Sequence, residues 1–138
     1  MARQFSEFDH SGDIGIEAYG RSLAEVLIHL THGLFTLMYK GTVGGEIERR
    51  VRIQSNSSED LLVDWLSEVL SLSAVHGELY GKVKVKHMRK NHVEALLYGE
   101  RLDPVKHELR FEVKAATYHG LCLEKRGDKL VARVIFDL

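Results

Sequence analysis

Twice along this chain the apolar residues recur at spacings of three and four, and almost everywhere else they alternate. The first such stretch carries Leu23, Val26, Leu27, Leu30, Leu34, Leu37 and Met38. The second carries Leu61, Leu62, Trp65, Leu66, Val69, Leu70 and Leu72. A stripe of that period fits only one face of a helix, and each helix must bury it against something else. Both have start and stop signals. Ser22-Leu23-Ala24-Glu25 is a capping box, and Gly41 follows the first stretch, which is expected to run to about Tyr39. Ser55-Asn56-Ser57-Ser58-Glu59-Asp60 offers caps and first-turn acids to the second, and Gly77 ends it.

The remainder has the period of strands. Ile14 to Tyr19 alternates, and so does Glu46 to Gln54, with Ile47, Val51 and Ile53 as apolar members. From Leu79 the alternation continues through Val83 and Val85, turns at Arg89-Lys90-Asn91 and resumes over His92 to Tyr98. Gly99 to His107, with the only proline, Pro104, reads as a loop. Glu108 to Tyr118 is expected as one strand with Leu109, Phe111, Val113 and Ala115 on one face. After Tyr118-His119-Gly120, the run Leu121 to Lys125, a Gly127-Asp128 turn and Leu130 to Phe136 form a final hairpin. Two helices and about seven strands, with no repeat and no Gly/Ser/Pro linker, predict one α+β domain over residues 1–138. Consecutive strands favour an antiparallel or mixed sheet, with the two helices packed on one face as a second layer.

Composition narrows the function classes. Charged residues make up 28% and the formal net charge is −1, so no global field draws the chain to nucleic acid or a polyanionic surface. The basic patch is local: residues 82–92 hold five Lys or Arg and no acid. Lys82, Lys84 and Lys86 share a strand face, which reads as a solvated face because no aromatic residues interleave them to stack bases. The lone cysteine, Cys122, cannot form an internal disulfide and sits between Leu121 and Leu123 on a strand, opposite in face to His119. His29 and His32 share a helix face without a third metal ligand and read as ordinary histidines. Met1 to Glu7 has no signal-peptide core, and no segment reaches eighteen uninterrupted apolar residues, so a soluble, cytoplasmic protein is expected.

Chemistry concentrates in Phe8-Asp9-His10-Ser11-Gly12-Asp13-Ile14-Gly15, a polar loop that leads into a strand. Asp, Ser and Gly are what a turn requires; their oxygens are also what a hard divalent cation prefers. At the other end, Asp137-Leu138 places a side-chain carboxylate and the terminal carboxylate one residue apart. Joined to Asp13 these would make a site for calcium, magnesium or manganese, but spacing alone does not bring the two ends together.

The segments DHSGDIGIEAYG, GLFTLM, YGERLD, EVKAATYHGL and the terminal VIFDL, in this order over essentially the whole chain, resemble archease. That family is the accessory protein of the RNA-splicing ligase that joins tRNA halves. It usually has Thr-Ala where this chain has Ser11-Gly12, which keeps a hydroxyl and a small residue, and commonly ends in isoleucine rather than Leu138. The resemblance implies an α+β fold of the SHS2 type with a metal site built from both chain ends. Its ligands would be Asp13, Asp137 and the terminal carboxylate or carbonyl of Leu138, with Asp9, His10 and Ser11 in support. Lys114 and His119 would be candidates for contact with the ligase. The implied role is not that of an enzyme: such proteins promote guanylylation of the ligase and its multiple turnover, the metal tip reaching into the ligase's active site. Three rivals remain open: an independent metal-dependent hydrolase with His10 or His119 as base, a chaperone-like binding module with a structural metal, and an RNA binder acting through Lys82, Lys84, Lys86 and Arg89.

Overall fold

The computed structural model describes residues 4–138, and the fold is built from two helices and ten strands among them. Part of the N-terminal reading, over residues 1–3, lies outside the described residues. The helices stand where the period placed them. Helix α1 spans Leu23–Met38; its N-cap Ser22 accepts from the Glu25 N–H at 3.2 Å, but Glu25 reaches back to the Arg21 N–H, at 3.5 Å. Helix α2 spans Ser58–His76, opened by Ser57, which accepts from Asp60 N–H at 3.1 Å, and closed by Gly77 in the left-handed region at φ 65°. No helix of the described residues is long and apolar enough to cross a membrane.

The strands are β1 (Phe5–His10), β2 (Asp13–Gly20), β3 (Tyr39–Lys40), β4 (Ile47–Gln54), β5 (Glu78–Arg89), β6 (His92–Arg101), β7 (Glu108–Leu109), β8 (Ala115–Ala116), β9 (Cys122–Arg126) and β10 (Lys129–Asp137). Every pairing is antiparallel. β1-β2-β10 form the body of one sheet, with β8 and β9 both paired to the far edge of β10. β4-β6-β5 form a second sheet, and β3 and β7 a small ribbon. Helix α1 packs on β1, β2 and β10 of the first sheet and on β5 of the second, while α2 packs on β4, β5, β6, β8 and β9. The core lies where these meet, with Trp65, Tyr80, Phe136, Ile16, Leu30 and Leu66 fully buried.

Residues 108–118 differ from the single strand expected of them. Only Glu108–Leu109 and Ala115–Ala116 pair as strands, because the segment changes partner along its length. It leaves β3, where Arg110 N–H donates to the Met38 carbonyl at 2.7 Å, and joins β10, where Lys114 N–H donates to the Asp137 carbonyl at 2.8 Å. The backbone is extended enough to give period two, yet Leu109 is exposed while Phe111 and Val113 pack on the core. β6 in turn runs three residues beyond Tyr98, because β5 pairs with it as far as Glu78 opposite Arg101.

The loop after β6 is pinned from within by a buried histidine. Asp103 N–H donates to His107 Nδ1 at 2.9 Å, so the proton sits on Nε2, which lies 3.0 Å from Glu100 Oε2 and 3.1 Å from the Thr42 carbonyl. Glu100 also accepts from Gly44 N–H and Lys106 Nζ, each at 2.7 Å. One carboxylate thereby ties the α1–β4 connection to the β6–β7 loop.

Candidate functional site

The N-terminal polar loop is a two-residue hairpin turn. His10 pairs with Asp13, and Ser11 and Gly12 between them both have positive φ, 44° and 91°. That conformation matches the twist of the flanking strands, and glycine adopts it freely at the second position. The turn therefore has a sufficient structural reason for its residues, and it fixes where their side chains go.

The β2–β10 ladder then does what sequence spacing did not. Its register runs from Leu130 opposite Gly20 to Phe136 opposite Ile14. Asp137 and Asp13 each lie one residue beyond that last pair, at the same end of the sheet, with His10 opposite Asp13 across the β1–β2 pair. Alternation along the strands puts these three on the face away from buried Ile16, Val134 and Phe136. Just below them, Phe8 lies over Gly15, where a β-carbon would stand 2.1 Å from the ring, and the Arg133 guanidinium covers that ring at 4.1 Å.

The turn before β9 completes this end of the molecule. The rings of His10 and His119 meet edge to face with centroids 5.0 Å apart. His119 lies in the turn rather than on a strand, so the expectation that it and Cys122 occupy opposite strand faces does not apply. The Asp137 carbonyl accepts from Lys114 N–H, and the Thr117 hydroxyl donates to the Ile135 carbonyl at 2.8 Å. Lys114 and His119 are exposed, as are Asp9, Ser11 and Asp137; Asp13, His10 and Leu138 are half-buried. Asp9 alternates onto the opposite face from His10 and does not share the row. The sequence carried a signal for the His119 turn, Gly120 at φ 64°, but none for its meeting with His10.

The donor set suits a hard cation. Asp13 and Asp137 each stand one residue past the end of the β2–β10 ladder, and neither has an ion-pair partner among the described residues. Among the described residues no three His, Cys, Asp or Glu side chains cluster as metal ligands, so an ion here would draw its further oxygens from the main chain, from Leu138 or from a partner. The two helix histidines form no such set: His29 Nδ1 is engaged by the Tyr19 carbonyl, and His32, 6.4 Å away between ring centroids, has its Nε2 buried without a partner. Burial, with His29 adding to it, lowers the pKa of His32.

Residues 5–138 match the archease protein family. A protein archease of Methanosarcina acetivorans is 36% identical over 143 residues, covering 100% of this chain and 98% of its own length. One from Pyrococcus furiosus is 33% identical over 141 residues, covering 99% of each. The solution structure of Methanobacterium thermoautotrophicum protein 1598 superposes with a TM-score of 0.81 at 35% identity, covering 98% of this chain and 99% of that one. A crystal structure from Thermotoga maritima, described as an archease and possible chaperone, shares the fold at a TM-score of 0.67 and 24% identity, each chain covered in full. With the match spanning all but the first four residues and the relatives aligned end to end, the chain belongs to the archease family.

Proposed function

We propose that this chain is the accessory activator of an RNA-splicing tRNA ligase, and that its tip holds a divalent ion through Asp13, Asp137 and the carboxylate or carbonyl of Leu138. The observation that carries the reading is the β2–β10 register, which sets the DHSGD and VIFDL motifs side by side at one end of the molecule. Membership of the archease family supports the accessory role. Bound there, a calcium, magnesium or manganese ion would supply positive charge suited to the phosphates of GTP.

The chain's own residues have separate tasks in this reading. Asp13 and Asp137 bind; Ser11 and Gly12 hold the turn that aims Asp13; His10, braced by His119, walls one side of the row. Lys114, exposed beside Asp137, is placed to meet the ligase. The protein works in the cytoplasm and turns over no substrate of its own.

The test is RNA ligation by the cognate ligase, held far below substrate, with GTP and divalent metal. Wild-type protein restores many turnovers, while Asp13→Asn and Asp137→Asn, shown to be folded, do not. Equal activation by the carboxamide variants would remove the metal tip from the mechanism. Phosphodiesterase or phosphatase turnover by the purified chain alone would favour a hydrolase instead.

A further inference from the structure

The outer face of the β4-β6-β5 sheet is covered by neither helix. Val51, Val83, Val93, Ala95 and Leu97 point inward to the core, which leaves the alternate residues facing solvent. Register arranges them in cross-strand rows: Glu48, Tyr98, Lys82; then Arg50, Leu96, Lys84; then Arg52, Glu94, His87. The central strand thus presents a phenol ring, a leucine and Glu94; cations flank the leucine on both sides, while Tyr98 stands between Lys82 and the Glu48 carboxylate. Lys82 Nζ stands over the Tyr98 ring, 5.6 Å from its centroid.

Charge on this face is unbalanced. Glu94 is engaged by Arg52 at 3.3 Å, whereas Arg50, Lys82, Lys84, Lys86 and Arg89 have no carboxylate within ion-pair distance among the described residues. Successive side chains on one strand face are about 7 Å apart, and the two flanking strands about 10 Å apart. The lysine strand alone lacks a stacking group, but pairing supplies Tyr98 from the next strand.

We propose that this sheet face binds single-stranded nucleic acid, a base stacking on Tyr98 and the backbone phosphates meeting Lys82, Lys84 and Arg50. An aromatic ring with Lys82 on one side and Glu48 on the other, next to a row of cations on a three-stranded sheet, offers the two elements such a strand requires, a π-face and a positively charged track. A duplex keeps its bases stacked within itself and gains nothing from the ring. An acidic protein surface uses the cations and ignores it.

The experiment uses the chain by itself, without ligase or added metal, so its outcome is independent of the tip. A fluorescein-labelled oligouridylate of about 12 nucleotides is titrated by anisotropy at several salt concentrations. With about four phosphates contacted, log K falls against log salt with a slope of about −3, which is about fifty-fold between 50 and 200 mM. Tyr98→Ala weakens binding about tenfold, Tyr98→Phe retains it, and Lys82→Glu with Lys84→Glu abolishes it. Amide shifts of the wild-type protein on adding the probe cluster on β4, β5 and β6. Three results overturn the proposal: no binding at low salt; shifts confined to the tip; or equal affinity for duplex, heparin and polyglutamate with Tyr98→Ala unchanged, which marks a general cationic surface.

Discussion

The indole N–H of Trp65 donates to the Thr31 hydroxyl at 2.8 Å, and that hydroxyl donates onward to the Leu27 carbonyl at 2.7 Å. One oxygen thereby joins α2 to α1 inside a core where both residues are fully buried. Thr31→Val keeps the shape and removes the acceptor, leaving a buried N–H unpaired at a cost of about 1–3 kcal/mol. Urea unfolding followed by fluorescence of the single tryptophan reads the loss directly. Thr31→Ser, which keeps the oxygen, is expected to leave the indole environment as it is in the wild type. An unchanged midpoint in Thr31→Val would mean the bond contributes nothing net.

Two glycines are expected to respond to alanine for opposite reasons. At Gly99, toward the C-terminal end of β6, a β-carbon would stand 1.9 Å from the Leu79 carbonyl oxygen of the paired strand. That oxygen cannot move without breaking the ladder, so Gly99→Ala is expected to cost about 3 kcal/mol or more. At Gly77 nothing lies within 4 Å, and the penalty comes from φ 65° alone. A left-handed alanine costs about 1–2 kcal/mol. Thermal melts of the two variants should therefore separate clearly, and similar melting would contradict the steric account.

Acid should loosen the connection that Glu100 ties. Hydrogen bonding from Lys106, with Gly44 N–H and His107 adding to it, holds the Glu100 carboxyl down to about 2, against an ordinary value of 4.5. A carboxyl depressed in the folded state stabilises fully above its unfolded pKa, and the contribution is lost as pH falls from about 4.5 toward about 2. Glu78, lowered chiefly by the bidentate Arg49 guanidinium, acts in the same sense. Urea midpoints measured from pH 5 downward should fall steeply in the wild type and less steeply in Glu100→Gln. Parallel profiles would show that other carboxylates carry the acid response.

How legible each feature was in the sequence follows from how local its cause is. Both helices were legible because their caps and apolar stripes lie within one element, as Ser57 and Gly77 show. The β5–β6 and β9–β10 hairpins were legible for the same reason. Residues 108–118 were misread because an extended backbone gives period two whether or not one partner runs along it. The tip depends on a ladder between residues more than a hundred positions apart, and no spacing rule anticipates a register; family resemblance named Asp13 and Asp137 where periodicity did not. Tyr98 is not legible beside the lysines for the same cause, since cross-strand neighbours are adjacent only after pairing.

The tip makes a prediction whose sign reverses with metal. Without a cation, Asp13 and Asp137 each stand one residue past the end of the β2–β10 ladder with no ion-pair partner among the described residues, and like charges brought to one end of a sheet repel. In chelator, Asp13→Asn should therefore melt at or slightly above the wild type. With a binding ion at about a hundred times its dissociation constant, the wild type gains about 2.7 kcal/mol, and the carboxamide variant, which has lost a ligand, gains far less. The order of the two melting curves then inverts. Titrating calcium, manganese and magnesium in turn ranks the ions by the shift each produces. If the ion shift is present but Asp13→Asn activates the ligase normally, the metal only ties the chain ends together, as a chaperone-like module would require. If no ion shifts the wild type, the carboxylate pair holds no metal in the free protein, and the proposed metal tip fails.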